Sequence, residues 1–224
     1  MKEFIKKYKT KDKNWRFLFL GIILALISMM IFINIVHSYI KGKGNFDIDI
    51  SAINYVQAVE NNNLSRIFKG ITYIGDPHTV VIITVIITVI LYLKKMKRES
   101  AFFCLNILGV AALNELLKGV FRRDRPSMRI IEASGYSFPS GHSMTFLAFA
   151  IIFSYLILIY SENKFRAYFI SLCLIVLAIS IGFSRVYLRV HYLSDVLAGW
   201  SVAMFWCGMN IAIHRFSYYR KHII

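Results

Sequence analysis

The chain has 224 residues, of which 57% are apolar, and its mean hydropathy is +0.56. An ordinary water-soluble domain is near half apolar even when glycine is counted, so a soluble fold is excluded and a polytopic membrane protein is expected. The formal net charge of +15 is read as basic flanks and loops meeting anionic lipid headgroups or substrate, with no nucleic-acid partner expected.

Residues 17–36 are interrupted only by Gly21, Ser28 and Asn34, which predicts a first span over 17–38, close to the roughly 20 residues that cross a hydrocarbon core. The lysine-rich start resembles a secretory signal. The apolar run is too long for one and no small-residue cleavage site follows, so an uncleaved anchor is expected. Residues 41–76 mix Phe46, Ile48, Ile50, Val56, Leu64 and Phe68 with asparagines and charges. They read as two short amphipathic pieces on the membrane surface, separated at Asn61, Asn62 and Asn63. No chemistry is assigned to them, and Asp47 and Asp49 are read as solvated. Further spans are expected over 77–93, 101–118, 141–160, 165–183 and 191–213. Unbroken runs of this kind lack the period-two alternation of a membrane barrel. The fold class is therefore all-α, with six transmembrane helices, a short interfacial helical segment between the first two, and a single domain over residues 1–224.

Cys104, Cys173 and Cys207 fall within the spans and read as small packing residues, not as a disulfide framework. His37, His78, His214 and His222 sit at span edges or in the tail and read as interfacial. Two other histidines, His142 and His191, stand beside residues that can do chemistry.

Sixteen lysines and arginines fall in the flanks at 1–16, 94–98, 164–166 and 215–221, all on one side of a six-span layout. The positive-inside rule makes that side cytoplasmic, with both termini there. Eleven cations remain on the outer side, and seven of these are Lys118, Arg122, Arg123, Arg125, Arg129, Arg185 and Arg189. Such a concentration reads either as solvated loops touching headgroups or as an outward-facing anion pocket.

Within that group, Ser184 to Asp195 places a cation, a nucleophile and a carboxylate in one short stretch. If the chain is helical from His191, Asp195 lies four residues on and can hold one imidazole nitrogen while the other attacks. Arg185 offers a planar fork suited to phosphate. Lys118 and Arg125 are seven apart, so they face one pocket if the preceding helix persists, with Arg122 on the same face. Pro139-Ser140-Gly141-His142 opens a span whose free N–H groups can hold an anion, Ser140 capping and Gly141 admitting close approach. A plain helix start is the alternative reading of that tetrapeptide.

The blocks KGVFRRDRP, PSGH and SRVYLRVHYLSD resemble, in order and at every fixed position, the three-part signature of the type-2 phosphatidic acid phosphatase superfamily: K-x6-R-P, P-S-G-H and S-R-x5-H-x3-D. The resemblance implies a metal-independent phosphatase without a cofactor, working through a phosphohistidine on His191 that is oriented by Asp195. His142 is then the general acid, and Lys118, Arg125, Arg185, Ser140 and Gly141 hold the phosphoryl oxygens. It further implies a lipid phosphate substrate met in the membrane: undecaprenyl pyrophosphate first, then phosphatidylglycerophosphate or phosphatidic acid. The diphosphate is placed first because Arg122, Arg123, Arg129 and Arg189 exceed what one phosphoryl group needs. The plain alternative pairs them with headgroups, Asp124 or Glu132. A lipid-binding or transport protein with a silent site is the competing function, and the oligomeric state is left open.

The charge distribution predicts that a cysteine introduced at Ser134 is labelled by an impermeant reagent from outside, whereas one at Ser161 is labelled only after the membrane is opened. The reverse pattern would place the cluster on the cytoplasmic side.

Overall fold

A computed structural model describes residues 15 to 223, with side chains to 220. The expected basic start before residue 15 and the side chains of Lys221 and His222 lie outside what is described. Eight helices follow in order: α1 (Arg16–Lys41), α2 (Asp47–Val59), α3 (Asn62–Ile74), α4 (Pro77–Leu93), α5 (Lys97–Phe121), α6 (Gly141–Tyr160), α7 (Lys164–Tyr187) and α8 (Leu193–Ile223). The fold is all-helical among the described residues, as the unbroken apolar runs predict.

α1, α5, α6, α7 and α8 are each long and apolar enough to cross a membrane. α4 has 17 residues and reaches span length only together with α3, from which it is bent by 40°. Together the two helices form a sixth candidate span, broken between Ile74 and Pro77. The bend has a local cause: Asp76 caps α4 by accepting from the His78 N–H at 2.8 Å, and Pro77 takes the first helical position. α2 and α3 meet near the asparagine run, where the Asn61 side chain caps α3 by accepting from Leu64 N–H at 2.9 Å.

α6 is the central helix, packed by α4, α5, α7 and α8 and buried on most of its surface. Around it, α1 and α7 carry exposed rows such as Phe19, Leu20, Leu26, Phe165, Phe169 and Leu172. That apolar exposure suits lipid, since patches of such size are unusual on soluble monomers. α1 lies along α8 at very short range. A Cβ on Gly21 would stand 2.7 Å from the Gly208 carbonyl oxygen, and one on Gly208 would stand 2.6 Å from that of Gly21. Small residues permit this approach where water supplies no driving force.

Two expectations are corrected. His214 is not interfacial: it is 6% exposed, its ring stacks on Phe102 at 4.3 Å, and it shares a 2.7 Å hydrogen bond with the Tyr155 hydroxyl. The segment between the first two spans also does more than lie on a surface. α2 and α3 pack against α7, and α2 also against α8, so their polar side chains reach the end of the bundle where the conspicuous cations gather.

Candidate active site

α5 stops at Phe121 because Arg122 adopts a left-handed conformation (φ 46°), its N–H closing on the Lys118 carbonyl. The helix does not persist as expected. Arg122 therefore leaves the presumed common face, and its Nε donates back to Gly119 O at 3.0 Å. The same turn sends Arg123 inward and brings Arg125 round by the loop to the side where Lys118 points.

Arg123 is buried at 7% exposure. It donates to Asp195 Oδ1 at 2.5 Å, Asp49 Oδ2 at 2.7 Å, Ser194 Oγ at 2.7 Å and the Gly44 carbonyl at 2.7 Å. Its guanidinium lies 4.0 Å from the Tyr192 ring centroid and 5.3 Å from that of Phe46. Burial alone would weaken its proton affinity, but the Asp195 and Asp49 carboxylates outweigh that and raise it above the ordinary arginine value. Asp49, read from the sequence as solvated, is 3% exposed and also accepts from Ser194 N–H and Oγ–H. Only its buried cationic partner makes that burial tolerable.

Asp195 spends its second oxygen, Oδ2, on Tyr192 N–H at 2.9 Å and on His191 Nδ1 at 3.4 Å. His191 is 2% exposed and precedes α8 instead of opening it. Its Nε2 lies 3.0 Å from Arg125 Nη1. Because a guanidinium can only donate, this contact assigns the proton to Nδ1 and a lone pair to Nε2. Burial first, then the charges of Arg125, Arg185 and Lys118, hold His191 well below the usual imidazole value of 6.5, so the ring is neutral at physiological pH.

His191, His142, Lys118, Arg125, Arg185 and Gly141 all border one cavity of about 570 Å³. Arg185 is 5% exposed and held by Thr72 Oγ1 at 2.6 Å, while its buried Nε has no hydrogen-bond partner. An orphaned donor at the wall of a basic cavity is what an anion would satisfy. Gly141 is closely approached: a Cβ there would lie 3.0 Å from Asn114 Oδ1, a tight contact, and 3.6 Å from Lys118 Nζ.

Ser140 is placed differently from the expectation. It makes no side-chain cap; its Oγ is 2.9 Å from Ser143 Oγ, its N–H donates to Asp195 O at 3.0 Å, and it is fully buried behind the cavity wall. It joins the helix start to Asp195 instead of facing the cavity. Residues not singled out from sequence also face it, among them Lys69 and Thr72 of α3, Asp76 at the α3–α4 bend, and Asn114 and Glu115 of α5. Asp76 Oδ2 stands 3.7 Å from His142 Nε2. Gly75, Asp76 and Pro77 form a sequence punctuation before α4, but nothing in the sequence points Asp76 toward His142.

Residues 99–220 match the family model described as the PAP2 superfamily. The match covers more than half of the chain, and the chain belongs to that superfamily. It is 31% identical over 146 residues to Phosphatidylglycerophosphatase B of Bacillus subtilis (strain 168), covering 63% of this chain and 70% of that protein. The crystal structure of the first transmembrane PAP2 type phosphatidylglycerolphosphate phosphatase from Bacillus subtilis aligns with a TM-score of 0.74 at 23% identity, over 88% of this chain and 96% of that one. Aquifex aeolicus LpxE aligns with a TM-score of 0.59 at 22% identity, over 74% and 94% respectively. Both structures share the fold.

Removing the arginine that joins two buried carboxylates should be severe. Arg123→Ala is expected to lower stability by about 3–5 kcal/mol, the range for breaking a buried pair. Asp49→Ala should cost less, because Arg123 then keeps Asp195. Thermal melting in detergent compares the two, and an Arg123→Ala protein that melts like the parent would contradict the pairing.

Proposed function

We propose that this protein is a membrane lipid phosphatase that hydrolyses a lipid phosphate monoester at the outer face of the membrane. The observation that carries the reading is His191, held at Nδ1 by Asp195, with its Nε2 lone pair facing a cavity that Lys118, Arg125 and Arg185 line. The lipid phosphatases it is similar to support the lipid phosphate class, and the cation asymmetry of the flanks supports the outward orientation.

In the proposed reaction, His191 Nε2 attacks phosphorus and the bond to the lipid oxygen breaks. His142 gives that oxygen a proton, so the lipid leaves as a neutral alcohol. Water then attacks the phosphohistidine, His142 takes its proton, and inorganic phosphate departs with His191 restored. Lys118, Arg125 and Arg185 compensate the charge on the equatorial oxygens, the part that fixed cations can take in place of a metal. Activity is accordingly expected to survive a chelator.

The substrate ranking from sequence changes. Arg123 is buried in its ion pairs, and Arg189 is bonded to Glu60 at 2.9 Å. Arg129 is bonded to Ala133 O at 2.9 Å, and Arg122 turns back to Gly119. None of the four lines the cavity, whereas Asp76, Glu115 and Glu132 do. A second phosphate would meet these carboxylates, so a monoester such as phosphatidylglycerophosphate moves ahead of undecaprenyl pyrophosphate.

Phosphate release from a panel of purified lipid mono- and diphosphates tests this. The expected kcat/KM for monoesters exceeds that for the diphosphate by about tenfold, equivalent to about 1.4 kcal/mol; the opposite order would restore the diphosphate, and no release from any lipid would leave a binding role. Because the nucleophile acts unprotonated, kcat/KM should fall on the acid side only as pH drops through the lowered His191 value. The acid limb should therefore lie well below pH 6.5, the ordinary imidazole value, and a limb centred there would contradict the buried neutral ring.

A further inference from the structure

We infer that Asp76 is a positioning residue for the proton on His142, acting as the counter-charge that lets the imidazole carry it. This assignment, which rests on the general-acid reading of His142, follows from how the aspartate is fixed. One oxygen, Oδ1, is committed to the cap of α4 by the His78 N–H at 2.8 Å. The other, Oδ2, is thereby held 3.7 Å from His142 Nε2. That separation exceeds a hydrogen bond, so the carboxylate supports positive charge on the ring without taking the proton meant for the leaving oxygen.

The charged and titratable groups that line the cavity with His142 show why such support matters. Lys69 and Tyr73 come from α3, Lys118 and Glu115 from α5, Arg125 and Glu132 from the following loop, Arg185 from α7, and His191 from the segment before α8. Glu115 is committed to Lys118 at 3.1 Å and is largely exposed. Among the described residues, Asp76 supplies the one carboxylate oxygen within 4.0 Å of a His142 ring nitrogen. When a phosphate monoester binds, its oxygens are shared among the three cations. The ring then still needs a negative charge of its own to remain protonated until the alcohol leaves.

The two roles of Asp76 can be separated, because asparagine and serine cap a helix about as well as aspartate but bring no charge. Asp76→Asn and Asp76→Ser should melt near the parent temperature. With a lipid phosphate monoester, kcat should fall about tenfold at nearly constant KM, a fraction of what a general acid contributes. The basic limb of the kcat/KM profile should move down by about one pH unit, since an opposite charge that favoured the protonated ring has gone. With p-nitrophenyl phosphate, whose leaving group needs little protonation, the loss should shrink to within about twofold. In a His142→Ala background, Asp76→Asn should have no further effect on the lipid substrate.

The inference is overturned if Asp76→Asn and Asp76→Ser leave the basic limb in place, or if they impair both substrates equally while His142→Ala spares the aryl phosphate. In that last case the general-acid reading stands without Asp76. If His142→Ala itself impairs both substrates equally, the general-acid reading fails and takes the role of Asp76 with it.

Discussion

A single buried guanidinium holds this end of the bundle together. Arg123 joins Asp195 at the start of α8 to Asp49 in the second helix, and donates to Ser194 and to the Gly44 carbonyl as well. Two carboxylates and one arginine taken out of water would each be costly alone; together they share the charge and satisfy most of the polar atoms. The geometry of His191 depends on this. Asp195 can hold the His191 ring only because its other oxygen is fixed from behind, and Ser140 adds a backbone hydrogen bond to the Asp195 carbonyl. Elements far apart in sequence are thus tied to one carboxylate before any substrate arrives, as preorganised catalysis requires.

The same arrangement divides the cations by task. Arg123 and Arg189 are structural, neutralised by Asp49, Asp195 and Glu60. Lys118, Arg125 and Arg185 face the cavity, where Arg185 still holds an unused donor. Counting the cations at this end of the bundle therefore overstates the charge available to a ligand. The left-handed turn at Arg122 enforces the split, because it ends α5 one turn after Lys118 and rotates the next arginine into the protein.

Much of this could be read from residues. Long apolar runs announced the all-helical class and the five long helices α1, α5, α6, α7 and α8, since a backbone in lipid has few other ways to satisfy itself. The three motif blocks named every cavity cation except Lys69. What stayed hidden depended on three-dimensional return paths. Asp49 looked like one acid of a solvated helix start, and only the folding of α2 over Ser194 and Arg123 makes it buried. Asp76 looked like helix punctuation, and its second oxygen acquires meaning only where α6 passes it. Ser140 sat in a motif that suggests anion binding, yet its side chain turns to Ser143. The span over 77–93 has the expected bounds, but composition could not show that α3 adjoins it across a 40° bend.

The central claim is that His191 attacks phosphorus, and the most direct measurement is to acid-quench the enzyme during turnover of a radiolabelled lipid phosphate and locate the label. The prediction is an acid-labile, base-stable phosphoryl group on His191, formed equally in the presence of a chelator and absent from His191→Ala. A label on any other side chain, or one that persists in His191→Ala, would contradict it.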